Sequence, residues 1–204
     1  MESQLAMSGS VGMRVVRGTV RAPLGWRVRN YSRPGFVWGW LANGAARAFS
    51  RITGIPCMIG ESYAVLIKAD GQRVDYGLLS CRVVTTAFVN FLVDQLQTET
   101  SEFGDFKYHD SGVGNTAEAV GDTDMETTDG EDRVAGTQTE GASANIYKSV
   151  GTISYTSTKA ITECGLFSQS TGATLMDRSV FSAVNVVDGD SIEFTYQITM
   201  TAGS

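Results

Sequence analysis

The sequence has few of the residues on which disulfide frameworks, zinc sites and histidine-based catalysis depend. Three cysteines (Cys57, Cys81 and Cys164) and one histidine are spread over 204 residues, with no CxxC pair and no Cys/His cluster. This spacing indicates neither a zinc site nor a disulfide framework, and it predicts reduced, buried thiols in a protein made in a cytoplasm. Only three prolines accompany 23 glycines, a balance that favours short strands joined by glycine turns.

Long hydrophobic runs are also missing. The most apolar stretch, GFVWGWLANGAARAF, is too short and too interrupted to span a bilayer. The first residues lack the basic segment followed by an apolar segment that marks a secretory signal. We therefore expect no membrane association.

Candidate catalytic groups are isolated from one another. His109 is followed by Asp110, but no nucleophile elbow accompanies it elsewhere. Glu163 and Asp177 are carboxylates on neighbouring predicted strands, and nothing in the sequence fixes the distance between them. The glycines of residues 111–118 lack the lysine of a phosphate-binding loop and predict a tight turn. We expect no enzymatic activity and no cofactor.

A polar loop from 118 to 132 carries seven acidic residues. It resembles a calcium loop only at a glance, because Thr127 and Arg133 stand where an EF-hand needs its glycine and its bidentate glutamate. A solvated loop is the default interpretation, and the sequence leaves open whether the loop binds a metal ion.

From residue 61 onwards the pattern is mainly β. Residues 63–68 and 73–76 predict a hairpin around an Asp-Gly turn. A period of 3.6 over about 85–97 predicts one helix, which Thr85 or Thr86 caps. The last strand alternates, and one dry face is made by Ile192, Phe194, Tyr196, Ile198 and Met200.

These segments predict the fold class and the domain organisation. We expect a domain over 61–204 that is an antiparallel β-sandwich, jelly-roll-like, with one packed α-helix. Before it, residues 1–60 show no sustained period of 3.6 or 2, and they predict an extended N-terminal arm without a core of its own.

The charges divide at the same boundary. Residues 1–60 hold eight arginines, no lysine and one acid, a net charge of +7, whereas the rest of the chain carries −13. Arginine and aromatic side chains dominate interface energetics, so we expect the arm to bind a partner. The candidate partner-binding residues are Arg14, Arg17, Arg21, Trp26, Arg27, Arg29, Tyr31, Arg33, Phe36, Trp38 and Trp40.

The C-terminal part resembles a known class of protein. The segments on which the resemblance rests are the turn at 111–115, RVAGT at 133–137, ITE-x-GLF at 161–167, the run LMDRSVFSAVNV and the closing GDSIEFTY. Over roughly residues 82–199 this order is similar to that of small structural proteins of tailed-bacteriophage virions. The arm takes no part in the resemblance.

The resemblance implies a capsid cement, or decoration, protein on the outer surface of the icosahedral shell. The implied partners are the major capsid protein and further copies of the chain, as a dimer or trimer, with the arm stapling neighbouring capsomers. Two alternatives stay open: a tail or fibre adaptor of the virion and, more distantly, a nucleic-acid-binding module. The acidic body argues against the last, because it would repel a polyanion.

Overall fold

The structure, a computed structural model, describes residues 19–53, 55, 57–81, 83–97 and 106–200. These residues form three helices: α1 (Leu24–Tyr31), α2 (Pro34–Thr53) and α3 (Thr86–Gln97). The strands are β1 (Val20–Arg21), β2 (Met58–Ile67), β3 (Arg73–Cys81), β4 (Val83–Val84), β5 (Tyr108–Gly112), β6 (Val134–Ala135), β7 (Thr137–Glu140), β8 (Ile146–Ser154), β9 (Lys159–Phe167), β10 (Leu175–Val186) and β11 (Ser191–Met200).

The strands form two sheets. The first has the order β1-β3-β2-β11-β8-β7, and the second has the order β4-β10-β9-β5-β6. Every pair is antiparallel except β1 with β3, which is parallel. The strands at the four sheet edges are only two to four residues long. The prediction of a mainly β, antiparallel protein is confirmed.

Strand β11 confirms the predicted alternation along most of its length. Ile192, Phe194, Tyr196 and Ile198 are buried, with at most 4% of each residue exposed. Met200 lies at the end of the strand and is 43% exposed. It lines a small apolar cavity together with Ile198, so it lies on the predicted face at the edge of the core.

The predicted hairpin and helix are both present. Strands β2 and β3 pair around a turn in which Gly71 takes a φ of 82°, a conformation that a glycine adopts without strain. At the start of α3 the hydroxyl of Thr85 accepts a hydrogen bond from the Phe88 backbone N–H at 3.2 Å. Thr85 is therefore the cap.

The main core draws side chains from both sheets. It contains Ile153 and Phe194 of the first sheet and Ile161 and Phe181 of the second, all at most 2% exposed. The rings of Phe181 and Phe194 lie 6.5 Å apart, centroid to centroid. A second cluster surrounds the inner face of α3.

The N-terminal segment corrects the sequence prediction. Within its described residues it is not an extended arm, because α1 and α2 cover most of 24–53, and the part of the chain that the structure describes has three helices rather than one. The sequence pattern does not predict α2, because the row of residues that faces the body consists mainly of small side chains. That row is Phe36, Gly39, Asn43, Ala46 and Ser50. A search for large apolar residues on the buried face does not find such a helix.

Helix α1 is joined to both sheets. The Asn30 side chain donates to the backbone carbonyl of Leu79 in β3 at 2.9 Å and accepts from the backbone N–H of Ser182 in β10, also at 2.9 Å. Trp26 is 4% exposed and lies in the main core. The segment thus packs into the core of the body, which the prediction of an extended arm did not include. None of the described helices has the length and apolar character that a membrane crossing requires.

Candidate functional site

A small cleft lies where β1, α1 and β3 meet. Its volume is about 170 Å³. Three of its lining residues, Arg21, Arg27 and Tyr31, were candidates from the sequence, and the remaining lining residues are Asp75, Tyr76 and Gly77. The structure therefore brings together part of the predicted partner-binding set. We call this the basic cleft.

Local backbone geometry positions the cleft residues. The parallel pairing of β1 with β3 sets Arg21 opposite Asp75, and the backbone N–H of Ala22 donates to the Asp75 carbonyl at 2.8 Å. Pro23 follows with φ −53° and precedes α1, which suits its fixed φ. Two arginines are thereby held on adjoining elements.

Glycine at position 77 allows the opposite wall of the cleft to form. Its φ is 65°, and its N–H donates to the Asp75 carboxylate at 2.8 Å. A Cβ at this position would lie 3.5 Å from the hydroxyl of Tyr31. A glycine inside a strand often marks a close approach of the backbone to another group. The predicted strand ended at residue 76, so Gly77 gave no such signal, and the sequence analysis missed Asp75 and Tyr76.

The charge balance of the cleft is positive. It has two guanidinium groups and one carboxylate. The Nε of Arg27 is buried and has no hydrogen-bond partner among the described residues. Within the same residues, neither Arg21 nor Arg27 forms a salt bridge. Two guanidinium groups that line a cleft without a salt-bridge partner favour the entry of an anionic acceptor.

An aromatic cluster packs against the residues that line the cleft. Trp26 packs edge-on against Tyr76 at 4.7 Å between ring centroids, and Tyr31 lies 6.4 Å from Trp26 and 4.9 Å from Phe36. Burial raises the pKa of Tyr76, and the charge of Asp190 acts in the same direction. The cluster fixes α1 on the body and leaves Trp26 almost no surface for a partner.

The other candidates that the structure describes lie apart from the cleft. Arg29 is exposed on α1. Burial lowers the pKa of Arg33, and the charge of Glu118 opposes that shift. Trp38 and Trp40 of α2 are 71% and 59% exposed. The remaining two candidates, Arg14 and Arg17, lie outside the described residues.

His109 is a buried structural residue. It is 3% exposed, and its Nε2 lies 2.8 Å from the hydroxyl of Ser149. Burial lowers the pKa of His109 to about 4, so the ring is neutral at pH 7. A Cβ added at Gly136 or Gly151 would lie within 2.8 Å of the ring, so both glycines leave room for it. The enclosed space beside it has a volume of about 10 Å³, enough for one water molecule.

Glu163 and Asp177 do not face each other as a pair of carboxylates. Glu163 is fully buried, and the Nε of Arg178 donates to it at 2.6 Å. The backbone N–H groups of Gly114 and Thr127 donate to the same carboxylate at 3.0 and 2.8 Å. Glu163 thus holds two separate parts of the loop that follows β5.

The acidic loop is exposed over most of its length, as the sequence predicts, and ion pairs also hold it to the body. Arg178 reaches Asp122 at 3.0 Å and Glu126 at 3.1 Å. Lys159 lies 2.6 Å from Glu131. Among the residues with described positions, no group of three or more His, Cys, Asp or Glu side chains is arranged to hold a metal ion.

Comparisons with protein-family models, with curated proteins and with solved structures find no significant match. Of the groups described above, the Nε2 of His109 and the carboxylate of Glu163 form hydrogen bonds within the protein. The basic cleft has a buried donor that lacks a partner. It is therefore the best candidate for recognition.

Proposed function

We propose that this protein is a structural component of a tailed-bacteriophage virion, a cement or decoration protein bound to the outer surface of the icosahedral shell. The observation that carries the proposal is the basic cleft, in which Arg27 Nε is buried without a partner. The resemblance of residues 82–199 to small virion proteins supports the same assignment.

A carboxylate of the shell protein is the ligand that fits the cleft. A guanidinium presents its N–H donors in a planar fork that matches the two oxygens of a carboxylate. The cleft volume of about 170 Å³ suits one side chain rather than an extended ligand. We therefore propose that an aspartate or glutamate of the major capsid protein enters between Arg21 and Arg27.

The charge division suits attachment to an acidic protein surface. Residues 1–60 carry +7 and the rest of the chain −13, so the basic segment docks while the acidic body faces away. Many copies on a symmetric shell add modest individual contacts into strong avidity. The same acidic body disfavours binding of nucleic acid along the protein surface.

For the body, we propose that the two sheets stack face to face as an antiparallel β-sandwich, jelly-roll-like in arrangement. The support is the shared core, in which side chains of β8 and β11 meet side chains of β9 and β10. Such a body offers a rigid support for the α1–α2 segment. We place the protein on the capsid surface, as a homo-oligomer made in the host cytoplasm.

Co-sedimentation with particles that lack this protein tests the attachment. We expect the full chain to bind and the Arg27→Ala chain to bind at least tenfold more weakly, since a buried charged hydrogen bond contributes more than about 1.4 kcal/mol. Arg29→Ala is the matched control, because Arg29 lies on the same helix and outside the cleft. Equal loss in both variants would mean that diffuse charge, not the cleft, holds the protein.

Copy number separates the shell from the tail. Quantitative gel analysis of saturated particles should give hundreds of copies for a shell protein, and tens or fewer for a tail or fibre adaptor. Retention on DNA at low salt, weakening steeply as salt rises, would instead identify a nucleic-acid-binding module.

A further inference from the structure

Most of the large apolar side chains of helix α2 point away from the body. A row with spacings of three and four residues faces outward: Trp38, Leu41, Ala45, Ala48 and Ile52. Trp38 is 71% exposed, Leu41 46% and Ile52 84%. Phe49 lies beside this row and is 52% exposed. Spacings of three and four are those of the seam between two paired helices. We call these six residues the outer row.

The opposite side of α2 is the one that the body holds. An added Cβ at Gly39 would lie 2.6 Å from the backbone carbonyl oxygen of Cys81, so the helix sits directly on β3. The Asn43 side chain donates to the carbonyl of Gly60 at 3.3 Å. The helix is therefore fixed by its small residues, whereas the side chains of the outer row are largely exposed beside the rest of the described residues.

Charge is absent from the outer row. Arg47 points elsewhere and forms an ion pair with Glu61 at 2.8 Å. Covering the row thus buries no charge, and an acidic surface gains nothing from contacting it. This separates the row from the basic cleft and calls for an apolar occupant.

The size of the outer row fits one more copy of the same helix. Its exposed side chains present roughly 600 Å², at the upper end for the largest apolar patch on a monomer. Two copies would bury roughly 1,200 Å² in total, the lower limit for a specific, stable interface. A patch of this size that is self-complementary needs no second kind of protein.

We propose that the outer row is the dimer interface of this protein, with the α2 helices of two copies packed antiparallel across a twofold axis near Ala45. Ala45 and Ala48 allow close approach at the centre. Trp38 and Leu41 of one copy then meet Phe49 and Ile52 of the other. Each contact occurs twice, as an isologous interface requires. The proposal stands independently of attachment to a virion.

Sedimentation equilibrium of the full chain tests the interface. At a concentration on the order of 50 µM we expect twice the chain mass of 21.8 kDa, since interfaces of this size reach micromolar dissociation constants. Ala45→Glu places a charge at the centre and should give a monomer with an unchanged circular dichroism spectrum. Trp38→Ala should weaken the dimer at least tenfold.

The matched control is Trp40→Ala. Trp40 is 59% exposed in the same helix but lies about 200° around the axis from Trp38, outside the outer row. It should leave the dimer intact. A monomeric wild-type chain, or a dimer that Ala45→Glu does not weaken, overturns the proposal. The proposal is also overturned if the wild-type chain is monomeric and Trp38→Ala abolishes its binding to particles or to lipid vesicles. The outer row would then contact the shell or a membrane.

Discussion

Replacing Trp26 with alanine tests whether the N-terminal segment is part of the fold. The side chain is 4% exposed, packs against Tyr76 and donates its indole N–H to the Ser182 carbonyl at 2.8 Å. Removing a buried tryptophan leaves a cavity and costs about 3–5 kcal/mol. The Ser182 carbonyl also loses its donor. We expect a total loss of about 4 kcal/mol, or a fall in Tm of roughly 10 °C for a chain of this length.

Urea unfolding followed by far-ultraviolet circular dichroism measures this loss. All variants are compared at one chain concentration, so that association contributes equally to each measurement. Trp26→Phe keeps most of the packing and loses the hydrogen bond, so it should cost only about 1–2 kcal/mol. Trp40→Ala, at an exposed position, should change stability by less than about 0.5 kcal/mol.

A loss below about 1 kcal/mol for Trp26→Ala would refute the packing of α1 on the body.

The sequence predicts a separate domain over residues 61–204, and the packing of α1 leads to a different expectation. A chain without residues 1–60 would expose the surfaces that Trp26 and Asn30 cover, and we expect it to be markedly less stable than the full chain rather than an independent domain.

Three further measurements test other parts of the fold. Gly39→Ala should destabilise because its Cβ would meet a backbone carbonyl oxygen at 2.6 Å, whereas Gly44→Ala, with nothing within 4 Å, should stabilise by up to about 1 kcal/mol; an equal gain in both would contradict the close seating of α2. Glu163→Gln should cost about 3 kcal/mol and expose the loop held by Arg178 to proteolysis; unchanged protease resistance would argue against that role. The folded-state pKa of His109, about 4, lies below the unfolded value of about 6.5, so the unfolded chain binds more protons between these values. Stability should therefore fall by up to about 3 kcal/mol as pH drops from 6.5 to 4, and His109→Gln should remove that part of the slope.

Local patterns in the sequence predicted the elements that depend on neighbours along the chain. The hairpin follows from an Asp-Gly turn between apolar runs, and α3 follows from its period and its cap at Thr85. The closing strand follows from alternation, which holds from Ile192 to Ile198. Each of these patterns lies within a short stretch of the sequence, so neighbouring residues are enough to predict the element.

What the sequence did not predict depends on contacts between distant residues. Helix α2 presents small residues inward, and only the position of β3 explains that choice. Trp26 reaches a core whose other members lie mostly beyond residue 60. The acidic loop is held by Arg178, 52 residues after Glu126. No pattern within a short stretch of the sequence indicates contacts between residues that are so far apart along the chain.

The same holds for the candidate site. Arg21, Arg27 and Tyr31 were selected because arginine and aromatic residues are common at interfaces. Their convergence on Asp75 depends on the parallel pairing of β1 with β3, which composition does not reveal. Trp26 was predicted to bind a partner for the same reason, but its side chain packs in the main core.

The shortness of the sheet-edge strands bears on how copies of this protein are kept apart. The edge strands themselves expose few backbone donors and acceptors, because β1, β4 and β6 have two residues and β7 has four. The longer strands behind two of them, β3 and β10, pair with β1 and β4 over only two residues each, and side chains of α1 bond to backbone groups of both at Leu79 and Ser182. Long open edges template fibrils when molecules crowd together. Contact between copies through backbone pairing would therefore have to displace α1 or bypass the edge strands.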